Sequence, residues 1–265
     1  MDLGLKDARV VVTGGASNIG GGIVHEFATE GSRIVINDID EPQAEKVRTE
    51  ALERGAADVQ VVIADLTVPG AAEKVIQASV DKWGGIDVLV NNAGWSVPGF
   101  VATDTDRDKW QRTIEINFFS ALAATQAAIG PMKEAGEGAL VFIASDAAFG
   151  QIRQAVYGAS KAAMVALART TAREHGRHGI RSNIVCPGLV IPEGPDAVGE
   201  KSLWSVGQDN VFNQKQIDFM LKDTPMRRLT TAEDVGRAVL WFASPRAARQ
   251  VTGQMISVSG GYTMP

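Results

Sequence analysis

Seven short runs of aliphatic and β-branched residues recur along the chain, most of them closing on glycine, serine or aspartate. They are ARVVVTG (Ala8–Gly14), RIVIND (Arg33–Asp38), VQVVIAD (Val59–Asp65), GIDVLVNNAG (Gly85–Gly94), ALVFIAS (Ala139–Ser145), IRSNIVCPG (Ile180–Gly188) and GQMISVSGG (Gly253–Gly261). Several are apolar at consecutive positions instead of alternating, the pattern of strands covered on both faces. Helix signals stand between them. A helix is predicted from Ile19 to Glu30 and stops at Gly31. Asp40 caps the next, with Pro42 in the first turn and Gln43 three residues after the cap. An alanine-rich helix is predicted from Ala155 to Ala172. Buried strands spaced by helices require a parallel sheet with helices on both faces, so the reading is an α/β, doubly wound, seven-stranded single domain over residues 1–265. The one long stretch without periodicity, residues 189–230, reads as a flap within that domain.

Charge narrows the partners. A net charge of −5 and a pI near 5.3 argue against nucleic acid, because a phosphate-binding face needs surplus lysine and arginine. The single cysteine, Cys186, leaves no internal disulfide, and His25, His175 and His178 lack zinc-site spacing, so no metal is expected. His175 and His178 suit a basic helix end, where cations meet the negative end of the dipole. Neither a signal segment nor a membrane-length apolar run is found, so the expectation is a cytoplasmic protein with no membrane partner.

Chemistry enters at TGGASNIGGG (Thr13–Gly22), where the first strand turns into the first helix. Unpaired N–H groups and the helix dipole make such a junction an anion cradle, and glycine lets the backbone approach a pyrophosphate. Gly14, Ser17, Asn18, Ile19 and Gly20 are the candidate contacts. Asp38 ends the second strand 18 residues past Gly20, where a carboxylate can accept from both adenosine-ribose hydroxyls and repel a 2′-phosphate. The glycine turn carries no lysine or arginine to pair with that phosphate, so NAD is favoured over NADP. The fold is then Rossmann-type.

AVYGASKAAM (Ala155–Met164) places Tyr157 four residues before Lys161, on one helix face. An ammonium beside a phenol favours the phenolate and lowers a pKa that is ordinarily about 10. A tyrosine so tuned can act as general base toward an alcohol or as acid toward a carbonyl.

These motifs together resemble the short-chain dehydrogenase/reductase family over essentially the whole chain. The resemblance is carried by TGGASNIG, NNAG (Asn91–Gly94), EINFFS, IAS ending at Ser145, YGASK, CPG (Cys186–Gly188) and TGQMISVSGG. It implies a catalytic tetrad of Asn117, Ser145, Tyr157 and Lys161. Tyr157 would exchange the proton, Ser145 would bond the substrate oxygen, Lys161 would hold the nicotinamide ribose, and Asn117 would hold a water linking the lysine to solvent. Ile39 would accompany Asp38 at the ribose and Asp65 with Leu66 would meet the adenine. Asn92, Ala93 and Gly94 would pass beneath the cofactor, and Pro187, Gly188 and Val190 would flank the nicotinamide. The family's usual assembly implies a homotetramer.

Three departures stand out. Asn18 replaces a glycine of the turn, Ser145 precedes Tyr157 by 12 residues, one fewer than the family's spacing, and Pro192 falls where a threonine often bonds the nicotinamide amide. Asparagine tolerates positive φ, so the turn is expected to survive.

The candidate substrate residues are Trp95, Ser145, Phe149 and Trp204, the last on the flap with Phe212 and Phe219. Aromatic groups near the reacting centre suit an apolar or cyclic substrate. NNAGW, IASDAA, REHGRHGI, VCPG and SVSGGYTM further resemble short-chain dehydrogenases that oxidise 2-hydroxycyclohexanecarboxyl-CoA. That implies interconversion of a secondary alcohol and a ketone, on a cyclic alcohol or a β-hydroxyacyl group carried as a coenzyme A thioester. A steroid or sugar dehydrogenase/reductase of the same family is the alternative. A non-catalytic NAD-binding redox sensor is the alternative of another class, and it has no use for a paired tyrosine and lysine.

Overall fold

A computed structural model describes residues 1–206 and 212–265; residues 207–211 of the predicted flap lie outside the described residues. The strands are β1 (Arg9–Thr13), β2 (Arg33–Asp38), β3 (Asp58–Ile63), β4 (Val88–Asn91), β5 (Gly138–Ile143), β6 (Ile180–Pro187) and β7 (Met255–Val258). They form one sheet in the order β3-β2-β1-β4-β5-β6-β7, with every pairing parallel. The helices are α1 (Ile19–Thr29), α2 (Glu41–Glu53), α3 (Ala71–Trp83), α4 (Arg107–Ile114), α5 (Ser120–Ala135), α6 (Ala155–His175), α7 (Gln214–Asp223) and α8 (Ala232–Ala243).

Side-chain alternation along each strand divides the core into two layers. Val10 and Val12 of β1, Ile34 and Ile36 of β2, and Val88 and Val90 of β4 pack on one face with Phe27 of α1, Val47 of α2 and Phe242 of α8. Val11, Val35 and Leu89 point the other way, against Val75 of α3, Met132 of α5 and Met164 of α6. Continuous apolar runs are therefore what a sheet sandwiched between helices demands.

The strand order reverses between β1 and β4, and a ligand cleft belongs outside the carboxyl ends of the strands at such a switch point. Several strands end sooner than the apolar runs suggest. β4 stops at Asn91 because Asn92 turns its backbone and side chain to the β1 loop instead of continuing the ladder. The 189–230 stretch is also more ordered than its pattern implied. It contains 3-10 turns at Pro195–Ala197 and Leu203–Val206, and α7 starts from a capping box of Asn213 and Gln216.

α1 and α8 meet where Gly22 faces Ala232; a Cβ on Gly22 would stand 2.5 Å from the Ala232 Cβ, whereas one on Gly21 would meet nothing nearer than 3.9 Å. Gly22→Ala should therefore lower stability by about 1–3 kcal/mol through overpacking. Gly21→Ala should be neutral or gain up to about 1 kcal/mol from helix propensity. Denaturant unfolding of the two variants checks the contrast.

Candidate active site

Two loops build the floor of the cleft at the switch point. The Thr13 hydroxyl accepts from the N–H groups of Asn92 (3.0 Å) and Ala93 (3.1 Å). The Asn92 amide donates back to the carbonyls of Thr13 (3.0 Å) and Gly14 (2.8 Å). Gly14 has φ +60°, and its Cβ would fall 2.9 Å from the Ala93 Cα; a Cβ on Gly20 would run into the Gly14 carbonyl. Asn18 adopts φ 45°, as its tolerance of positive φ allows, and its amide donates to the Val190 carbonyl at 3.2 Å. The turn survives the substitution.

A cavity of about 380 Å³ runs from this turn to the start of α6. Gly14, Ser17, Asn18, Ile19, Gly20, Asp38, Ile39, Asp65, Leu66, Asn92, Ala93, Gly94, Pro187 and Gly188 all line it, together with Ser145, Tyr157, Lys161, Trp95 and Trp204. The glycine turn, Asp38 and the tyrosine–lysine pair thus share one cavity, so the residues fit an extended dinucleotide. Not every expected contact lies there. Val190 is buried and contributes its carbonyl to Asn18. Phe149, at the end of the 3-10 turn Asp146–Phe149, is half-exposed and lies outside the lining.

Asp38 is held by three backbone donors: Ala16 N–H at 3.0 Å, Ile39 N–H at 2.8 Å and Asp40 N–H at 3.1 Å. Burial pushes its carboxyl above the ordinary value while these hydrogen bonds pull it down. Asp40 serves as the α2 cap, which leaves Asp38 to the cavity.

At the other end, the Ser145 hydroxyl accepts from the Ala147 N–H at 3.1 Å, so its own proton remains available to a ligand. Tyr157 lies in the first turn of α6, where the helix dipole favours an anion. The expected depression of its pKa by Lys161 is corrected. Burial instead raises the Tyr157 phenol, with the neighbouring Ser145 hydroxyl working the other way. Lys161 Nζ stands 5.7 Å from the tyrosine ring centre and donates to the Ile143 carbonyl at 2.9 Å. Burial brings the lysine down to about 8.

The Asn117 side chain is held by protein groups at both ends of its amide. Asn117 sits in a π-helical turn, Glu115–Phe119, between α4 and α5; such turns redirect a side chain within a helix. Its Oδ1 accepts from the Trp95 N–H (2.7 Å), and its Nδ2 donates to the Trp95 carbonyl (2.9 Å) and to Ser160 Oγ (2.9 Å). Ser160 in turn donates to the Tyr157 carbonyl at 2.6 Å. With both amide protons committed, this side chain clasps the NNAG loop to the tyrosine's helix.

Two residues of the site region escaped the sequence reading. Lys201 lines the cavity and donates to the Ile39 carbonyl, although the glycine turn itself offers no cation. Asp146, next to Ser145, is 1% exposed; its Oδ1 accepts from Ser257 Oγ at 3.0 Å, and its Oδ2 has no hydrogen-bond partner among the described residues. Burial pushes Asp146 up to about 6 against the hydroxyls of Thr263, Ser257 and Ser259. No motif or spacing marks it. Among the described residues no group of three or more His, Cys, Asp or Glu could hold a metal ion, and no helix is long and apolar enough to cross a membrane.

The Asp146 shift fixes a sign. The native state holds this proton more tightly than the unfolded chain, whose carboxyl titrates near 3.8, so its contribution to stability is full below that pH and is lost as pH rises through about 6. Asp146→Asn keeps an acceptor for Ser257 and removes the titration. Relative to the parent it should gain about 2–3 kcal/mol between pH 4 and pH 7. Urea unfolding at the two pH values reads the difference.

Known proteins give the same picture. Residues 14–263 match a family model described as enoyl-(acyl carrier protein) reductase. The hydroxy(phenyl)methylsuccinyl-CoA dehydrogenase subunit BbsD of Thauera aromatica is 33% identical over 99% of both chains. The D-beta-hydroxybutyrate dehydrogenase of Rhizobium meliloti is 32% identical over 96% of this chain and 97% of its own. A crystal structure of a putative short-chain alcohol dehydrogenase from Sinorhizobium meliloti superposes with a TM-score of 0.85 at 27% identity, covering 97% of this chain and 96% of that one. The chain belongs to the short-chain dehydrogenase/reductase family, oxidoreductases that act on hydroxyl and carbonyl groups with nicotinamide cofactors.

Proposed function

We propose that the protein is an NAD-dependent dehydrogenase that interconverts a secondary alcohol and a ketone on a cyclic or β-hydroxyacyl substrate, the latter carried as a coenzyme A thioester. The observation that carries this reading is the convergence of Ser145, Tyr157 and Lys161 at one end of a cavity whose other end holds the glycine turn and Asp38. Asp38 supports NAD, because a carboxylate accepts from both ribose hydroxyls and disfavours a 2′-phosphate. Trp95 in the lining supports a substrate with apolar bulk. The coenzyme A thioester follows the Thauera aromatica relative, whose name specifies one.

Gly94, Pro187 and Gly188 would hold a nicotinamide beside Tyr157 and Lys161, and it would supply the hydride acceptor for the alcohol or the donor for the ketone. The Ser145 hydroxyl, already accepting from Ala147, donates to the substrate oxygen. Tyr157 removes the hydroxyl proton during oxidation and restores it during reduction. Lys161, anchored on the Ile143 carbonyl, keeps a positive charge beneath the site at neutral pH. The Asn117 clasp fixes the distance between the cofactor floor and the Tyr157 helix.

Tyr157→Phe should lower kcat by roughly 100-fold or more while NADH binding, followed by fluorescence, changes less than about twofold. A variant retaining most of its turnover would refute the proton-transfer role. Asp38→Ala should cut the kcat/KM preference for NAD over NADP by about tenfold. The substrate is found by following NADH absorbance over a panel of cyclic alcohols and 3-hydroxyacyl-CoA thioesters.

A further inference from the structure

The chain after β6 returns across the nucleotide end of the cavity. The Ala197 carbonyl accepts from the Asn18 N–H at 2.9 Å, and the Gly199 N–H donates to Ser17 Oγ at 3.3 Å. A Cβ on Gly199 would collide with the Asp40 carboxylate, so only glycine lets the strap lie this close. Next, the Lys201 N–H donates to Asp40 Oδ2 at 3.1 Å, and Lys201 Nζ donates to the Ile39 carbonyl at 2.6 Å. Lys201 through Trp204 then line the same cavity as Asp38 and Ile39.

An ammonium group is consequently fixed on the carbonyl of the residue that follows Asp38, in the wall of the same cavity. One of its three N–H groups is spent on Ile39, and the remainder can serve a ligand. The charges there have opposite preferences: Asp38 accepts from ribose hydroxyls and repels phosphate, while Lys201 attracts phosphate. We propose that Lys201 is a specificity-determining residue that admits a 2′-phosphorylated adenosine, so that NADPH binds measurably alongside NADH. This rests on the dinucleotide reading above but is separable from it, because it concerns only the balance between the two nucleotides.

Lys201→Gln isolates the charge. Glutamine can still donate to the Ile39 carbonyl, and the backbone bond to Asp40 is untouched, so the strap keeps its anchors. NADH and NADPH are titrated separately by fluorescence against the full chain without substrate. Lys201→Gln should weaken NADPH binding by about three- to tenfold and NADH by less than about twofold, with the difference shrinking as salt is raised. Lys201→Arg should keep the parent ratio. Equal weakening of both nucleotides would overturn the inference, since Lys201 would then only tie down the strap. An unchanged ratio in Lys201→Gln, or a parent protein that binds NADH but not millimolar NADPH, would overturn it too. Failure of the parent to bind either nucleotide would overturn the cofactor reading and this inference together.

Discussion

The site depends on the cross-loop lock between Thr13 and Asn92. One hydroxyl and one amide tie the end of β1 to the end of β4 at the point where the strand order reverses. The lock needs glycine at position 14, where a side chain would strike Ala93. It ends β4 early and sets the gap between the glycine turn and the NNAG loop. Loosening it would move the phosphate cradle relative to Tyr157, and a misplacement of about 1 Å can cost a large share of a catalytic rate.

Burial without full compensation characterises the catalytic end. Lys161 is buried with a carbonyl as partner, and Asp146 is buried with one oxygen unmatched among the described residues. Both shifts run toward neutrality, as desolvation requires. Cys186, between them in the hydrophobic layer, has its thiol pushed up to about 12, which leaves it inert as a nucleophile. Such costs are characteristic of sites where fixed charge near the substrate outweighs stability. The Asn117 clasp adds rigidity without charge.

Much was legible in the chain because the relevant signals are local. The double-sided apolar runs of β1, β2 and β4 announced a covered parallel sheet, and each one-residue step along them fills the opposite layer. The glycine turn, Asp38 and the i, i+4 spacing of Tyr157 and Lys161 lie within single elements, so their placement in one cavity followed from the topology. Phe149 falls outside the cavity lining, because aromatic type and sequence proximity to Ser145 do not say which side of a 3-10 turn faces the cavity.

Residue order by itself therefore determined the sheet, the glycine turn and the Tyr157–Lys161 pair. Each arises from short-range periodicity or spacing that any copy of the segment would carry. Only the tertiary structure decided that Asn117 clasps Trp95, that Asp146 is sealed against Ser257, and that Lys201 reaches the Ile39 carbonyl. Those contacts span 22, 111 and 162 residues of chain, from Asn117 to Trp95, Asp146 to Ser257 and Lys201 to Ile39. Desolvation likewise depends on every neighbour in space, which is why the phenol of Tyr157 is raised where the Lys161 ammonium suggested the reverse.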